Sequence, residues 1–161
     1  MPPQDEDQKF HEEYRAKRGK GPFLAADMVV QSADNKVLLI RRGKRPGKGL
    51  LALPGGFVNL DETFLDGALR ELGEETGLLE AVHPGIRSWI GHSEIFDDPH
   101  RDPRGRIVTR AFHLRLPAFA GEVELKAGDD AAEAIWLDDP LSLGVDAFFL
   151  DHFSIIATLI E

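Results

Sequence analysis

The segment from Thr63 to Gly77 constrains the fold of this chain most, because it carries helix signals at both ends. Thr63 is suited to cap the helix start, Asp66 follows it by three residues, and Gly77 suits the left-handed residue that ends a helix. At about 100° per residue, one stripe of this helix collects Leu65, Leu69, Leu72 and Thr76. The sequence therefore predicts a helix over residues 63–77 with one side packed against a core.

Apolar runs rich in Val, Leu and Ile predict strands around this helix, and 161 residues suffice for one domain. We expect strands over 23–30 and 36–42 joined as a hairpin, further strands over 86–96, 106–116 and 133–137, and a closing helix over 147–160. Residues 6–18 fit a short surface helix or an arm. Strands that mostly follow one another without intervening helices predict an α+β fold.

Three glutamates crowd one side of the predicted helix. Glu71, Glu74 and Glu75 lie at positions i, i+3 and i+4 and so project in similar directions. Each close pair of like charges weakens a helix by about 0.2–0.5 kcal/mol, and Arg70 is expected to relieve only part of this repulsion. A solvated acidic face is one interpretation. The other is a site for a hard divalent cation such as Mg²⁺, which prefers oxygen ligands.

The glutamates belong to a longer pattern. Gly56 is followed after five residues by Glu62, and after seven more by the run Arg70-Glu71-Leu72-Gly73-Glu74-Glu75-Thr76-Gly77-Leu78. This pattern resembles the signature of the Nudix hydrolase family, which it matches at all nine specified positions. The resemblance implies a Nudix fold, in which a mixed β-sheet lies between α-helices. We expect residues 1–20 to form an N-terminal arm or short helix and residues 21–161 to form the Nudix domain.

The resemblance also implies roles for the residues of the pattern. Glu71, Glu74 and Glu75 are the expected metal-binding carboxylates, and the carbonyl of Gly55 is expected to complete the shell. Glu62 and Arg70 are expected to form an ion pair that holds the preceding loop against the helix. The implied cofactor is Mg²⁺, with Mn²⁺ as a substitute. The general base is left open among Glu71, Glu75 and the loop residues Asp129, Asp130 and Glu133.

The implied reaction is cleavage of a diphosphate linked to another group. The flanks of the signature, including Phe96 to Arg106, are similar to the Nudix domain of bacterial bifunctional nicotinamide mononucleotide adenylyltransferase/ADP-ribose pyrophosphatases. We therefore expect conversion of ADP-ribose to AMP and ribose 5-phosphate, and neither adenylyl transfer nor transcriptional control. The alternatives are hydrolysis of NADH, a sugar nucleotide or a damaged nucleoside triphosphate, and a non-catalytic domain that senses ADP-ribose.

Most of the 19 basic residues lie in the segments 15–20, 41–48 and 101–110. Solvated basic loops are one interpretation, and local sites for anions are the other. Guanidinium groups would suit the diphosphate or ribose oxygens of ADP-ribose, and an aromatic ring would stack on adenine. The candidate substrate-binding residues are Arg41, Arg42, Arg104, Arg106 and Phe96, with Trp89 as a second candidate for the stacking ring.

Composition excludes several other partners. With 28 acidic and 19 basic residues the formal net charge is −9, which argues against binding to nucleic acid or an anionic membrane. The absence of cysteine excludes disulfides, thiolate metal sites and cysteine nucleophiles. The N-terminal segment is acidic and no run of about 18 apolar residues occurs, so we expect a cytoplasmic protein. The family resemblance adds the expectation of a homodimer.

Overall fold

In the computed structural model, which describes residues 4–19, 21–78, 80, 83–118, 123–128 and 130–160, seven strands form one mixed sheet. The strands are β1 (Phe23–Gln31), β2 (Val37–Arg42), β3 (Leu51–Ala52), β4 (Gly55–Phe57), β5 (Ile90–Phe96), β6 (Ile107–Arg115) and β7 (Ala131–Leu137). The α-helices are α1 (Gln4–Arg18), α2 (Phe64–Thr76) and α3 (His152–Leu159).

Strand β1 lies inside the sheet and pairs with three other strands. It runs parallel to β6 along its whole length, from Phe23 opposite Ile107 to Gln31 opposite Arg115. Its first half also pairs with β4, and its last residue pairs with Val37 at the start of β2. Strand β5 is antiparallel to β6, while β3 and β7 are both antiparallel to β2. The combination of parallel and antiparallel pairs confirms the predicted mixed sheet.

The two faces of the sheet bury separate hydrophobic cores, because side chains alternate along a strand. On one face, Met28 of β1 belongs to the core that includes Leu72 of α2. On the other face, Val29 belongs to the core that includes Ile155 and Ile156 of α3. The sheet therefore lies between α2 and α3, which confirms the predicted arrangement of helices on both sides.

Helix α2 begins and ends as the sequence predicts. The Thr63 Oγ1 accepts the N–H of Asp66 at 3.1 Å, and the Asp66 carboxylate accepts the N–H of Thr63 at 3.3 Å. At the other end, Gly77 has a φ of 80° and its N–H donates to the carbonyl of Gly73. Side chains other than glycine are strained in that conformation, so the helix stops there. Of the predicted apolar stripe, the buried members are Leu69, Leu72 and Thr76.

The predicted hairpin is present between β1 and β2. Across its turn the N–H of Ser32 donates to the carbonyl of Lys36 at 2.9 Å. Asn35 adopts a φ of 70°, a left-handed conformation that asparagine tolerates. The strands predicted over 106–116 and 133–137 are present as β6 and β7.

The segment predicted as a strand over 86–96 is a strand only in part. Ile86–Trp89 forms a 3-10 helix, and β5 starts at Ile90. The backbone N–H and the hydroxyl of Ser88 both donate to the carbonyl of Gly85. This local turn uses backbone groups that a strand would present to its neighbour, so the prediction was wrong at its start.

The closing helix is shorter than predicted. Phe148 forms a β-bridge with Leu51, and the N–H of Phe149 donates to the carbonyl of Leu51 at 2.8 Å. Leu150 then adopts a φ of 48°. The backbone is first extended and then left-handed, neither of which a right-handed helix allows. Helix α3 therefore begins at His152, and the prediction of a helix from residue 147 was wrong over its first five residues.

Helix α1 has polar contacts to two loops. Glu6 and Asp7 pair with Arg45, in the loop between β2 and β3. Arg15 donates to the carbonyl of Pro103, in the loop between β5 and β6. The helix thus bridges these two loops. Across the described ranges, the helices are too short or too polar to cross a lipid bilayer.

Candidate active site

A cleft of about 340 Å³ opens beside β1, β4 and the first residues of α3. Carboxylates and guanidinium groups line it together. The charged and aromatic lining residues are Asp27, Arg42, Phe57, Arg70, Glu71, Glu75, Arg101, Asp102, Arg104, Asp130, Phe149 and His152. A concave site that mixes fixed charges of both signs is suited to a charged ligand that is itself held through a cation.

Arg70 is the centre of an ion-pair network. Its Nε and Nη2 donate to the two carboxylate oxygens of Glu62 at 2.8 and 3.0 Å, and Nη2 also donates to the carbonyl of Phe57 at 3.0 Å. The hydrogen bonds from Arg70 lower the pKa of Glu62. The structure thus contains the ion pair expected from the signature, and it ties the loop after β4 to α2.

Arg70 also reaches two of the three crowded glutamates. Its Nη1 donates to Glu71 Oε1 at 2.9 Å and to Glu74 Oε2 at 3.2 Å. Glu75 takes no part in these bonds. The guanidinium therefore relieves part of the repulsion on α2, and Glu75 has to be balanced in another way.

Glu75 is a buried carboxylate, with only 5% of the residue exposed. Its Oε1 accepts the N–H of Gly55 at 2.8 Å. Burial raises the pKa of Glu75 to about 8, and the nearby charges of Glu71 and Asp27 add to this effect. A carboxylate in these surroundings favours either a proton or a bound cation.

The donor set on α2 and the preceding turn fits a hard divalent cation. Glu71 and Glu75 line the cleft together with Gly55. The side chain of Glu74 is 43% exposed, is held by Arg70 and does not line the cleft. Within the ranges that the structure describes, no three acidic or imidazole side chains form a ready-made metal cage. The fit to a divalent cation therefore depends on the buried carboxyl group of Glu75 beside Glu71.

The turn at Gly55 and Gly56 packs directly against carboxylates. A Cβ on Gly56 would lie 2.6 Å from Glu71 Oε1, and a Cβ on Gly55 would overlap the carbonyl of Ala26 and a carboxylate oxygen of Asp27. At Gly55 the contact is with backbone and leaves no room for a side chain, whereas at Gly56 the Glu71 carboxylate would have to move. The two glycines thus let a backbone turn lie beside acidic groups, as a site with backbone and carboxylate oxygens requires.

The candidate bases from the loop before β7 have different positions. Asp130 lines the cleft and pairs with Lys44 at 2.8 Å. Glu133 lies on β7, 4.0 Å from Arg41, and does not line the cleft. Asp129 lies outside the described residues. Of the two described loop candidates, the fold brings Asp130 to the site, where Glu71 and Glu75 also lie.

Arg41 and Arg42 are consecutive residues of β2 with different surroundings, and the pairing of β2 with β7 is irregular between them. Arg42 lines the cleft, with its guanidinium carbon 4.0 Å from the ring centroid of Phe149. Arg41 donates instead to the carbonyl of Gly49. Burial lowers the pKa of Arg42, and the like charge of Arg104 adds to this. Among the described residues, no carboxylate forms an ion pair with Arg42, which favours an anionic ligand there.

Arg104 lies in the cleft among aromatic rings. Its Nη2 donates to Asp102 at 2.8 Å, and its guanidinium carbon lies 5.4 and 5.8 Å from the rings of Phe57 and Phe149. Burial by itself raises the pKa of Asp102, but the hydrogen bonds and charge of Arg104 outweigh it and lower that pKa. Arg104 is therefore held in place as a cation.

The other candidates for substrate contacts lie elsewhere. Arg106 is exposed and is not among the residues that line the cleft. Phe96 packs against the core under α3, and Trp89 packs against the core under α2. The phenylalanine rings that line the cleft are those of Phe57 and Phe149, and neither is among the candidates predicted from the sequence.

Several polar residues of the cleft are not among the candidates predicted from the sequence. Asp27 is buried and its Oδ2 accepts the hydroxyl of Thr109 at 2.5 Å. Its signal was available, since it is the one charged residue in the apolar segment 23–31. His152 is also buried, and its Nδ1 accepts the N–H of Leu53 at 2.9 Å. Asp102 and His152 reach the cleft through tertiary folding, for which the sequence carries no local signal.

Known proteins share this fold and parts of this sequence. The NUDIX domain matches residues 21–140. An ADP-ribose pyrophosphatase of Methanocaldococcus jannaschii is 44% identical over 117 residues, which cover 73% of this chain and 62% of that protein. A bifunctional NMN adenylyltransferase/ADP ribose pyrophosphatase from Francisella tularensis, complexed with AMP and a manganese ion, has a TM-score of 0.84 and 31% identity. That match covers 96% of this chain and 47% of the Francisella chain.

A further solved structure is the NUDIX domain of Shewanella oneidensis NrtR complexed with ADP ribose. It has a TM-score of 0.66 and 26% identity, covering 91% of this chain and 94% of that one. The chain spans less than two thirds of the Methanocaldococcus protein and about half of the Francisella chain. The domain match includes the glycine turn, the Glu62–Arg70 pair and α2. By this match and by its fold, the chain belongs to the NUDIX family.

Proposed function

We propose that this chain is a Mg²⁺-dependent pyrophosphohydrolase that converts ADP-ribose to AMP and ribose 5-phosphate. The observation that carries the proposal is one cleft that combines the buried carboxylate of Glu75 with the guanidinium groups of Arg42 and Arg104. Carboxylates suit a divalent cation, and guanidinium groups suit phosphate oxygens. The ADP-ribose pyrophosphatase relative and the neighbour complexed with ADP ribose support this substrate.

Glu71, Glu74, Glu75 and the carbonyl of Gly55 are the proposed metal ligands. Mg²⁺ is the proposed cation, with Mn²⁺ as a substitute, and the neighbour complexed with a manganese ion supports a divalent metal. When bound, such a cation neutralises phosphate oxygens and lowers the pKa of a water molecule. Arg70 orients Glu71, and Glu62 in turn holds Arg70.

In the proposed reaction, the oxygen of a water molecule bonds to one phosphorus of the diphosphate. The bond from that phosphorus to the bridging oxygen breaks, and the bridging oxygen leaves with the other phosphate. Arg42 and Arg104 stabilise negative charge on the phosphate oxygens. The proton of the water passes to a base, for which Glu71, Glu75 and Asp130 are candidates at the cleft. Asp129 and Glu133 are retained as proposals.

The cleft also offers apolar surface for the rest of the substrate. Phe57 and Phe149 present rings beside the two arginines and are proposed to contact the adenosine or ribose part. Arg41, Arg106 and Phe96 are retained as proposed contacts for parts of the substrate that extend beyond the cleft.

A panel of substrates tests the proposal. The purified chain is assayed with Mg²⁺ against ADP-ribose, NADH, a sugar nucleotide and an oxidised nucleoside triphosphate. We expect the highest kcat/KM for ADP-ribose, with AMP and ribose 5-phosphate as products. A better substrate elsewhere in the panel would contradict the assignment. Tight binding of ADP-ribose without hydrolysis would identify the chain as a sensor.

We further propose a cytoplasmic location and a homodimer. Both follow from the sequence and its family resemblance. Fractionation of cells that express the chain tests the location. Light scattering after size-exclusion chromatography tests the assembly, for which a mass near twice the 17.8 kDa of one chain is expected.

A further inference from the structure

The first residue of α3, His152, is buried at the cleft and has no role in the reaction described above. Its Nδ1 accepts the N–H of Leu53 at 2.9 Å. A backbone N–H can only donate, so Nδ1 must carry a lone pair. The ring is then neutral, and its proton lies on Nε2. The fold therefore fixes one tautomer of His152, in which Nε2–H is a hydrogen-bond donor.

Contacts on both sides hold the ring in the cleft wall. Leu53 lies two residues before Gly55, in the chain that leads into the glycine turn. The residue before the histidine, Asp151, accepts hydrogen bonds from Arg101 Nε and Nη2 at 2.9 and 2.7 Å. The ring of Phe149 lies edge-on, with its centroid 5.5 Å from that of His152. The imidazole cannot rotate freely without breaking its bond to Leu53, so its donor has a fixed position.

The charged groups around this donor indicate what it can bind. The guanidinium groups of four lining residues already place positive charge at the cleft: Arg42, Arg70, Arg101 and Arg104. Burial disfavours a positive charge on the imidazole and lowers the pKa of His152, although the carboxylates of Asp27 and Asp151 oppose this effect. A neutral N–H can bind a phosphate oxygen without the cost of burying that charge. Phosphate oxygens of a diphosphate ester are ionised at neutral pH and accept hydrogen bonds. A neutral N–H donor can thus add a hydrogen bond to a diphosphate that the arginines already attract by charge.

We propose that His152 is a substrate-binding residue that donates from Nε2–H to an oxygen of the diphosphate. The inference rests on the proposed ADP-ribose hydrolysis and adds a residue far outside the signature segment. The histidine has two separable parts in this arrangement. Nδ1 holds Leu53, and Nε2–H holds the substrate.

Two substitutions separate these parts. The side-chain oxygen in His152→Asn can still accept the N–H of Leu53, but no donor remains at the position of Nε2. His152→Gln can place an amide N–H near the position of Nε2 but loses the acceptor for Leu53. Ser154→Ala, at an exposed position of α3, is the matched control. Thermal unfolding and circular dichroism check that each variant folds.

We expect His152→Asn to raise the KM for ADP-ribose by about 10- to 100-fold, the effect of losing one hydrogen bond to a charged group. We expect a smaller rise for His152→Gln and none for Ser154→Ala. A wild-type KM in His152→Asn together with an impaired His152→Gln would show that the ring only supports Leu53, and the proposal would be overturned. An inactive wild type would instead overturn the proposed function.

A second test uses the wild-type protein and therefore does not depend on whether a variant folds. Long-range ¹H–¹⁵N NMR of the histidine rings in EDTA reports the tautomer of His152. ADP-ribose and inorganic pyrophosphate are then added separately until the backbone amide resonances of the cleft stop shifting. We expect the spectrum to show the Nε2–H tautomer of His152, and we expect its Nε2 resonance to shift when either ligand binds. A proton on Nδ1, or an unmoved resonance at saturation with both ligands, would overturn the proposal.

Discussion

Replacing Glu75 by glutamine is expected to stabilise the metal-free protein at alkaline pH while it abolishes hydrolysis. Burial raises the pKa of Glu75 from 4.5 to about 8. The folded state therefore holds the proton more tightly than the unfolded state, and stability is lost as the pH rises from the unfolded pKa to the folded pKa. At about 1.4 kcal/mol per pKa unit, this loss grows from near zero below pH 4.5 to roughly 4–5 kcal/mol above pH 8.

Glutamine removes this loss but introduces a smaller one. Its amide oxygen can still accept the N–H of Gly55, which donates to Glu75 at 2.8 Å. Its buried amide group has no acceptor in return, at a cost of about 1–3 kcal/mol. We therefore expect the variant to gain roughly 1–4 kcal/mol in the free energy of unfolding at pH 8.5. At pH 5 the gain disappears or reverses.

Urea unfolding in EDTA at pH 5, 7 and 8.5 measures this difference. Glu74→Gln is the matched control, because the Glu74 side chain is 43% exposed on the same helix, and we expect a change within about 0.5 kcal/mol. Added Mg²⁺ should stabilise the wild type more than Glu75→Gln. A Glu75→Gln protein less stable than the wild type at pH 8.5, or a difference independent of pH, would refute the argument from burial.

Three further changes test other parts of the site. Arg42→Lys is expected to raise the KM for ADP-ribose about tenfold with a smaller change in kcat, because lysine lacks the planar guanidinium fork. Arg115→Lys, at the last residue of β6 and outside the cleft, is the control in the same steady-state assay. Gly56→Ala is expected to lower kcat at least tenfold and stability by about 1–2 kcal/mol, because its Cβ would lie 2.6 Å from Glu71; a crystal structure and thermal unfolding check this. Glu62→Gln is expected to lower the free energy of unfolding by about 1 kcal/mol at pH 7. Because Arg70 lowers the pKa of Glu62, this difference should vanish as the pH falls through the lowered pKa. Urea unfolding between pH 3 and 7 measures it, and a difference that stays constant over this range would contradict the prediction.

Local signals predicted the elements whose ends are fixed by nearby residues. Helix α2 has its cap at Thr63 and its stop at Gly77, and the hairpin turn has Asn35. The wrong boundaries lie where distant contacts decide the backbone. Phe149 is apolar and suits a helix, but its N–H bonds to Leu51, nearly 100 residues earlier in the chain. No residue near position 149 in the sequence indicates that Leu51 is its partner.

The candidate site divides in the same way. The Glu62–Arg70 pair and the glutamates of α2 lie within one continuous segment, so their spacing was sufficient to place them together. The sequence could not decide which of Arg41 and Arg42 lines the cleft, because that depends on how β2 packs and on its irregular pairing with β7 at this step. His152 comes from the far end of the chain, and only the packing of α3 on the sheet brings it to the cleft.

The position of Arg70 between Glu62 and the glutamates of α2 has a consequence for metal affinity. Glu71 and Glu74 each have one carboxylate oxygen bonded to the Arg70 guanidinium, so a divalent ion that takes these carboxylates shares them with a cation. The measured affinity for the ion therefore includes the change that its binding makes in the contacts between Arg70 and these glutamates. Because Glu62 competes for the same guanidinium, a residue that touches no ion helps to determine how tightly the ion is held.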